Sequence, residues 1–225
     1  MKLSVDTLSV LKNFASINQG IMFKKGKTLR TVSPQKNVMA EATVSDEFPT
    51  DFGVYDLNNF LSVLSLHKEE PTIDFQDNNV LISGLQGRSK IKYRFCAPHM
   101  IVVAPEKAIT MPDPEISFEL KAEDFDWIMK AAAVLSSPCV TIDSDGSKVF
   151  ISTYDPTNDA AHTDALEICN GTGTKYKMVF KLENIKMLPG SYDVKISSKG
   201  ISHFKHKTLN VQYWIATETD SKYGA

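Results

Sequence analysis

The sequence predicts an α+β protein made of two similar domains, each with two helices packed on antiparallel sheet. Two observations lead to this fold class. Short segments of the first half recur in the second half, and helical and strand-like hydrophobic patterns follow each other in the same order in both. A proline-rich segment separates the halves. A repeat of this length indicates a duplicated domain rather than a solenoid unit.

The repeat rests on three pairs of matching segments. They are Leu3–Leu11 with Leu120–Ile128, Val54–Phe60 with Val179–Ile185, and Ile91–Cys96 with Val211–Ala216. The first pair resembles two helix starts, the second a strand running into a helix, and the third two half-buried strands. The spacing requires a short insertion in the second half, and the polar, turn-rich segment Tyr154–Asp164 is suited to hold it.

Each half is predicted to contain a helix, two or three strands, a second helix and three more strands. The predicted helices are about Val5–Ile17, Leu57–Leu66, Glu123–Leu135 and Leu182–Leu188. Pro189 and Gly190 stop the last of them, because proline cannot continue the hydrogen-bond ladder. The predicted strands surround Ile21, Met39, Phe52, Thr72, Val80 and Ile91 in the first half, and Val140, Val149, Leu166, Met178, Tyr192, Ile201 and Val211 in the second.

The boundary between the domains is expected near the middle of the chain. Residues 98–115 contain four prolines and no clear helix signal, which is typical of an interdomain connector. We therefore expect a first domain at residues 1–108, ending in this connector, and a second at residues 109–225.

The charge balance argues against a conventional tight DNA-binding domain. The chain carries 25 basic and 27 acidic side chains, a net charge of −2, whereas such domains gain affinity by neutralising phosphates with Lys and Arg. Residues 1–110 hold 13 basic and 11 acidic groups and the remainder 12 and 16, so the halves differ in sign. This weakly favours head-to-tail contact between copies.

The cysteine pattern and the hydropathy predict a soluble intracellular protein. The three cysteines form neither a CxxC pair nor a zinc spacing, which indicates a reducing compartment. No signal peptide is evident, and no apolar run approaches the roughly 20 residues that span a bilayer. We expect no export and no membrane contact.

Motifs for catalysis or metal binding are weak throughout. His203 and His206 are three residues apart in a predicted strand, which places them on opposite faces, and they are expected to be surface residues. Asp143–Gly146 lacks the further ligands of a calcium loop, and Gly171–Lys175 lacks the ending of a phosphate loop; both are expected to be turns. We therefore expect no catalytic residue, no cofactor and no metal.

The chain resembles the DNA polymerase sliding clamps of T-even-type bacteriophages. The resemblance lies in MKLS, DTLSVLKNFASINQGIMFK, VYDLNNFLSVLSL, VVAPEKAI, LKAEDF and IKMLPGSYDVKI, which occur in family order across nearly the whole chain. It implies a replication processivity factor: a homotrimer whose six domains form a ring around double-stranded DNA, with helices lining the hole and sheets outside. It also implies an ATP-driven clamp loader, the replicative DNA polymerase and late-transcription factors of the viral and host RNA polymerase as partners, in the cytoplasm of the infected bacterium.

A ring that holds DNA by topology needs only weak, sequence-independent contacts, so small polar and basic groups are expected on the inner helix faces. The first helix has an apolar stripe of Val5, Leu8, Leu11 and Ala15, and the second one of Leu57, Phe60, Leu61 and Leu64. The opposite faces carry Ser9, Lys12, Asn13 and Ser16 on the first helix and Asn58, Asn59, Ser62 and Ser65 on the second. Together with the later helices, the expected DNA-facing residues are Lys12, Asn13, Lys130, Lys181 and Lys186. The alternative is that these are ordinary solvated helix faces.

The connector is expected to carry a pocket for partner peptides, because family partners insert apolar terminal segments there. Its apolar residues in this chain are Val102, Val103, Pro105, Ile109 and Met111. The alternative is a connector that simply packs on its own domains.

Lys90, Lys92 and Arg94 alternate with apolar neighbours in a predicted strand, which favours a half-buried strand with a basic exterior, near a subunit edge.

Two other functions stay open from the residues themselves. One is a duplicated peptide-binding scaffold that does not encircle DNA. The other is an enzyme of unknown type, for which no motif nominates a reaction.

Overall fold

The computed structural model describes residues 1–67, 71–107 and 109–224. The chain divides into two compact units, residues 1–107 and residues 108–225. The described residues form three α-helices, sixteen β-strands and three short 3₁₀ helices. Both units share the order of an α-helix, four strands, a second helix that is only 3₁₀ in the second unit, and three strands, and the second unit adds one strand before and one after this series. The predicted α+β class is confirmed.

The first unit contains two helices and seven strands. They are α1 (Val5–Ile17), β1 (Ile21–Phe23), β2 (Gly26–Val32), β3 (Val38–Phe48), β4 (Phe52–Val54), α2 (Leu57–Ser65), β5 (Thr72–Phe75), β6 (Asn79–Gly84) and β7 (Ser89–Arg94). Strand β1 pairs with β4, β2 with β3, and β6 lies between β5 and β7, all antiparallel. Helix α1 packs against α2, β2 and β3.

Both helices of the first unit begin at side-chain caps. The Ser4 hydroxyl accepts a hydrogen bond from the Thr7 amide at 3.2 Å, and Asp56 accepts one from the Asn59 amide at 2.8 Å. These bonds satisfy amides that the first turn leaves without a helical partner. Ser4 is itself fixed by Asp46, which accepts bonds from its amide and its hydroxyl, each at 2.8 Å.

Aromatic side chains fill the core of the first unit. Phe23 is fully buried, and its ring centroid lies 4.4 Å from that of Phe52 and 4.8 Å from that of Phe48. Phe60 of α2 joins the cluster at 6.4 Å. The cluster therefore joins β1, β3, β4 and α2 into one apolar core.

The second unit contains one α-helix and nine strands. They are β8 (Ile116–Leu120), α3 (Ala122–Val134), β9 (Cys139–Asp145), β10 (Lys148–Tyr154), β11 (Ala165–Asn170), β12 (Lys175–Lys181), β13 (Tyr192–Ser197), β14 (Ile201–His206), β15 (Val211–Ala216) and β16 (Lys222–Tyr223). One sheet has the order β11-β10-β9-β12-β16, and β8, β13, β14 and β15 lie side by side in another. Tyr192 is fully buried, with Phe125 at 5.9 Å and Tyr213 at 6.2 Å between ring centroids.

The predicted fourth helix is wrong. Only the single 3₁₀ turn Leu182–Asn184 forms in place of Leu182–Leu188. Its first position has no side-chain cap, Ile185 already leaves helical geometry with φ −83° and ψ 70°, and Pro189 follows closely. The first three predicted helices are confirmed to within one residue at each end.

The predicted apolar stripe of α1 is partly wrong. Val5 is 77% exposed and Leu8 is half-buried, whereas Thr7, Val10 and Phe14 are buried beside the expected Leu11 and Ala15. The buried face is thus shifted toward Thr7, Val10 and Phe14, and Val5, at the first helical position, lies outside it. On α2 the four expected core residues are all buried. None of the helices in the described ranges is long and apolar enough to cross a membrane.

Candidate functional site

The outer face of α1 carries small polar side chains and one lysine. Ser9, Lys12 and Ser16 are exposed, and Asn13 is half-buried. The Ser16 hydroxyl donates to the Asn13 carbonyl oxygen at 2.6 Å, so this hydroxyl is already used within the helix. Lys12 therefore supplies the positive charge of this face, on a flexible stem.

The outer face of α2 is polar and uncharged. Asn58, Asn59, Ser62 and Ser65 are all exposed, as expected. The Ser62 hydroxyl donates to the Asn58 carbonyl and the Ser65 hydroxyl to the Ser62 carbonyl, both at 2.8 Å. Hydroxyls bonded back to the helix are poor donors to a ligand, so this face would offer weak contacts that are easily exchanged.

The outer face of α3 is more acidic. Lys130 is exposed, but its ammonium lies 3.4 Å from the Asp126 carboxylate one turn earlier. Glu123 and Asp124 lie in the first turn, where the helix dipole favours carboxylates. Partial burial, and then the charge of Glu123, raise the pKa of Asp124. Lys130 is thus one cation on a face that also carries negative charge.

Lys181 and Lys186 do not lie on a helix, contrary to the prediction. Lys181 ends β12 and forms an ion pair with Glu218 at 3.2 Å, and this hydrogen bond raises the pKa of Lys181. Lys186 is half-buried after the 3₁₀ turn, and Asn184 is buried with 6% of its surface exposed. Of the residues predicted to face DNA, Lys12 and Asn13 lie on α1 and Lys130 lies on α3.

The five apolar residues expected to form a peptide pocket are distributed over both units. Val102 and Val103 are 37% and 39% exposed, and Pro105 is exposed. Ile109 and Met111 belong to the second unit and are half-buried. Val103 lines a small cavity of about 60 Å³ in the first unit.

This cavity is formed mainly by residues that the sequence did not single out. Its lining residues are Met22, Lys24, Thr28, Arg30, Val103, Ala104 and Glu106. Glu106 lies 2.8 Å from the Lys24 ammonium, and Arg30 donates to the Glu106 carbonyl oxygen. The pair with Lys24 lowers the pKa of Glu106, and the same contact raises the pKa of Lys24. The cavity therefore has an apolar base and a charged rim.

Strand β7 forms an edge of its sheet, as expected from its charges. Lys90, Lys92 and Arg94 are exposed, and they alternate with the half-buried Ile91 and Tyr93. Cations along an edge discourage uncontrolled strand addition. They also leave one side of the strand open to pair with a complementary edge.

Strand β11 forms an edge in the second unit, beside an open groove on α3. This groove, which we call the α3 groove, has a volume of about 460 Å³ and is lined by Trp127, Lys130, Ala131, Val134, Leu135, Thr163 and Asp164. Trp127 and Val134 are 56% and 83% exposed. The Trp127 indole N–H donates to Asp164, directly before β11, at 2.8 Å. An exposed apolar surface of this kind often marks an interaction site.

The histidines and the short segments considered for metal binding or catalysis bond and pack within the fold. His206 is buried, contrary to the expected surface position, and accepts hydrogen bonds from the Thr208 and Leu209 amides. His203 stacks on Trp214 with ring centroids 5.0 Å apart. Asp143, Ser144 and Asp145 end β9 rather than forming the expected turn, and the turn to β10 begins only at Gly146. Within the described ranges, no group of three or more His, Cys, Asp or Glu side chains could hold a metal ion.

Comparisons with known proteins agree with this arrangement. A family model described as DNA polymerase processivity factor matches residues 4–103, and one described as gp45 sliding clamp, C terminal, matches residues 117–219. The chain is 35% identical over 224 residues to the sliding clamp of Vibrio phage KVP40, covering 97% of this chain and 99% of the relative. It is 34% identical to the sliding clamps of Escherichia phage RB69 and Enterobacteria phage T4, with 99% of each chain covered.

Solved structures show the same fold at much lower identity. The proliferating cellular nuclear antigen of Entamoeba histolytica superposes with a TM-score of 0.67 at 14% identity, covering 94% of both chains. The PCNA2–PCNA3 complex from Sulfolobus tokodaii gives 0.62 at 15% identity, covering 94% of this chain and 95% of the other. The full-length similarity to the phage proteins confirms the resemblance found in the motifs. The chain belongs to the sliding-clamp family of DNA polymerase processivity factors, which are not enzymes.

Proposed function

We propose that three copies of this chain form a closed ring that encircles duplex DNA and tethers the replicative DNA polymerase to its template. The observation that carries the proposal is the similarity to phage sliding clamps along nearly the whole chain, through both units. In this assignment the two units are the two clamp-type domains, and the ring contains six. An ATP-dependent clamp loader opens the ring and places it on DNA.

The polar helix faces support a ring that slides along DNA rather than gripping it. Apart from Lys12, the exposed side chains of α1 and α2 are short, and several of their hydroxyls already donate to their own helix. Lys12 and Lys130 each supply one positive charge, and that of Lys130 is partly offset by Asp126 at 3.4 Å. A net charge of −2 per chain suits a ring held by topology, whereas a protein held by counterion release needs many more phosphate contacts.

The two edge strands support head-to-tail closure. We assign β7 of one copy and β11 of the next to one continuous antiparallel sheet. The three cations of β7 complement Asp164, directly before β11, and Glu167 within β11, which also bond to Trp127 and Lys148 of their own chain. The adjacent α3 groove would be covered by the neighbouring copy. A heterologous contact repeated with a rotation of one third of a turn closes into a ring.

The connector is the proposed docking region for peptide segments of partner proteins, among them the polymerase and the factors of late viral transcription. Val102 and Val103 would offer apolar contact, and the charged rim of the nearby cavity would orient the peptide. Lys12, Asn13 and Lys130 are the proposed DNA-facing residues. The place of action is the cytoplasm of the infected bacterium.

The ring is tested by light scattering over a concentration series, followed by retention on circular and linearised DNA after loading. A trimer that stays on circles and leaves linear ends supports encirclement. Lys92→Glu should weaken the trimer, whereas Lys195→Glu, the same charge change on an exposed position of β13, should not. A persistent monomer without topology-dependent retention would overturn the proposal in favour of a peptide-binding scaffold.

A further inference from the structure

The connector is fastened to the first unit at two points. The Asn18 side-chain amide donates to the Val102 carbonyl oxygen at 3.0 Å. Four residues later, the Glu106 carbonyl oxygen accepts from Arg30, and the Glu106 carboxylate pairs with Lys24. The segment between these points is 103–105. Side-chain bonds, rather than strand pairing, hold the residues on either side of it.

Asn18 is the buried fastening. Only 7% of its surface is exposed, and it is the C-cap residue of α1. Its amide also donates to the Val32 carbonyl oxygen at the end of β2, at 3.0 Å, and its carbonyl oxygen accepts from the Gly20 amide at 3.2 Å. Both N–H groups and the carbonyl are therefore engaged, which specifies one position for the connector backbone relative to α1 and β2.

The close approach of Ile101 to Gly20 also specifies one position for the connector. A Cβ atom at position 20 would lie 2.6 Å from Cγ2 of Ile101 and 3.3 Å from the Tyr55 carbonyl oxygen. Only glycine lets the connector come this near to the α1–β1 loop. Ile101 thus packs against backbone directly before the residue that Asn18 holds.

The side chains of Val102, whose carbonyl is fastened, and of Val103, directly after it, stay more than one third exposed. A free connector would move among many conformations, and a partner would have to order it on binding. We propose that Asn18 is a positioning residue that holds the connector in its binding conformation, with Arg30 and Lys24 fixing the far end. This proposal rests on the proposed function, because it explains how the same region binds partner peptides. A connector that is already held in its binding conformation loses less conformational entropy when a partner binds, and the affinity is higher for that reason. Losing the fastening should therefore weaken partner binding roughly tenfold.

The test uses the full chain with Asn18→Ala, and Asn210→Ala as the matched control, an exposed asparagine in the β14–β15 turn. Trypsin cleavage after Lys107 reports on the connector, and cleavage after Lys199, in the β13–β14 turn, reports on general unfolding. Mass spectrometry gives both rates, and the affinity for the purified cognate replicative polymerase is measured alongside. Arg30→Met, at the solvent-accessible end, serves as a second variant should Asn18→Ala fold poorly.

The expected result is faster cleavage after Lys107 alone, polymerase binding about tenfold weaker, and unchanged trimer mass and retention on circular DNA. Equal acceleration at both sites, or normal polymerase affinity despite faster connector cleavage, would overturn the positioning role. Absence of polymerase binding by the unaltered chain would instead overturn the proposed function. The connector cleavage rates would still decide whether Asn18 and Arg30 fasten the segment.

Discussion

Replacing Lys12 tests whether the α1 face meets DNA. Lys12→Gln removes one exposed charge and lowers the net charge of each chain from −2 to −3. An exposed ion pair contributes about 0.2–1 kcal/mol. With one of the ring's three Lys12 side chains in contact with a phosphate at a time, losing that contact should lower the barrier to sliding by that amount. The diffusion coefficient of the loaded ring should then rise about 1.5- to 5-fold at low salt.

The salt dependence gives the second part of this prediction. The Debye length falls from about 10 Å at 0.1 M salt to about 3 Å at 1 M, so the difference between the proteins should shrink as salt increases. Single-molecule tracking of a labelled ring on stretched DNA measures the diffusion coefficient directly. Lys195→Gln is the control, because it makes the same charge change on the exposed face of β13.

Two results would refute this reasoning. Equal diffusion of the Lys12 and Lys195 variants would show that the effect comes from net charge, with no local contact at α1. A faster Lys12→Gln ring whose advantage persists at 1 M salt would show that the lost contact is not ionic.

Three further predictions concern stability. Phe23→Ala should cost about 3–5 kcal/mol in urea unfolding because it leaves a cavity in the aromatic cluster, whereas Phe23→Leu should cost less than half as much. Gly190→Ala should destabilise the second unit, because Gly190 has φ +149° and its new Cβ would lie 2.2 Å from Nε2 of His206; an unchanged melting temperature would contradict this. Burial raises the pKa of Asp46, but hydrogen bonds from Thr7 and Ser4 outweigh it and the pKa lies below its usual value, so this carboxylate stabilises the fold above its unfolded pKa. Asp46→Asn should therefore cost about 1 kcal/mol at neutral pH, and the two proteins should converge as acid protonates Asp46; a constant difference down to about pH 2 would contradict this.

Local signals in the sequence were sufficient to predict where the well-capped helices begin. Ser4 and Asp56 are cap residues directly before apolar-periodic segments, and α1 and α2 begin where they indicate. The segment after Lys181 has apolar residues at helical spacing but no cap, and it forms only a 3₁₀ turn. Strand β2 was missed because four of its seven residues are polar and its alternation is weak, whereas β8 was missed although its five residues alternate between apolar and polar.

The candidate site was harder to predict because its contacts join distant parts of the chain. Asn18 and Val102 are 84 positions apart, and Arg30 and Glu106 are 76 apart. No spacing rule brings such residues together. The basic strand β7 was predictable because its alternation is local, whereas the pairing of Lys181 with Glu218 depends on where the end of the chain returns.

The aromatic clusters also bear on how the protein is made. The rings around Phe23 and those around Tyr192 each belong to one unit, so each unit has its own apolar core. Because domains generally fold as units during synthesis, the first unit can bury its core while the ribosome is still translating the second. During that interval the edge of β7 is already formed, and its three cations protect the nascent chain from pairing with strands of neighbouring chains on the same polysome.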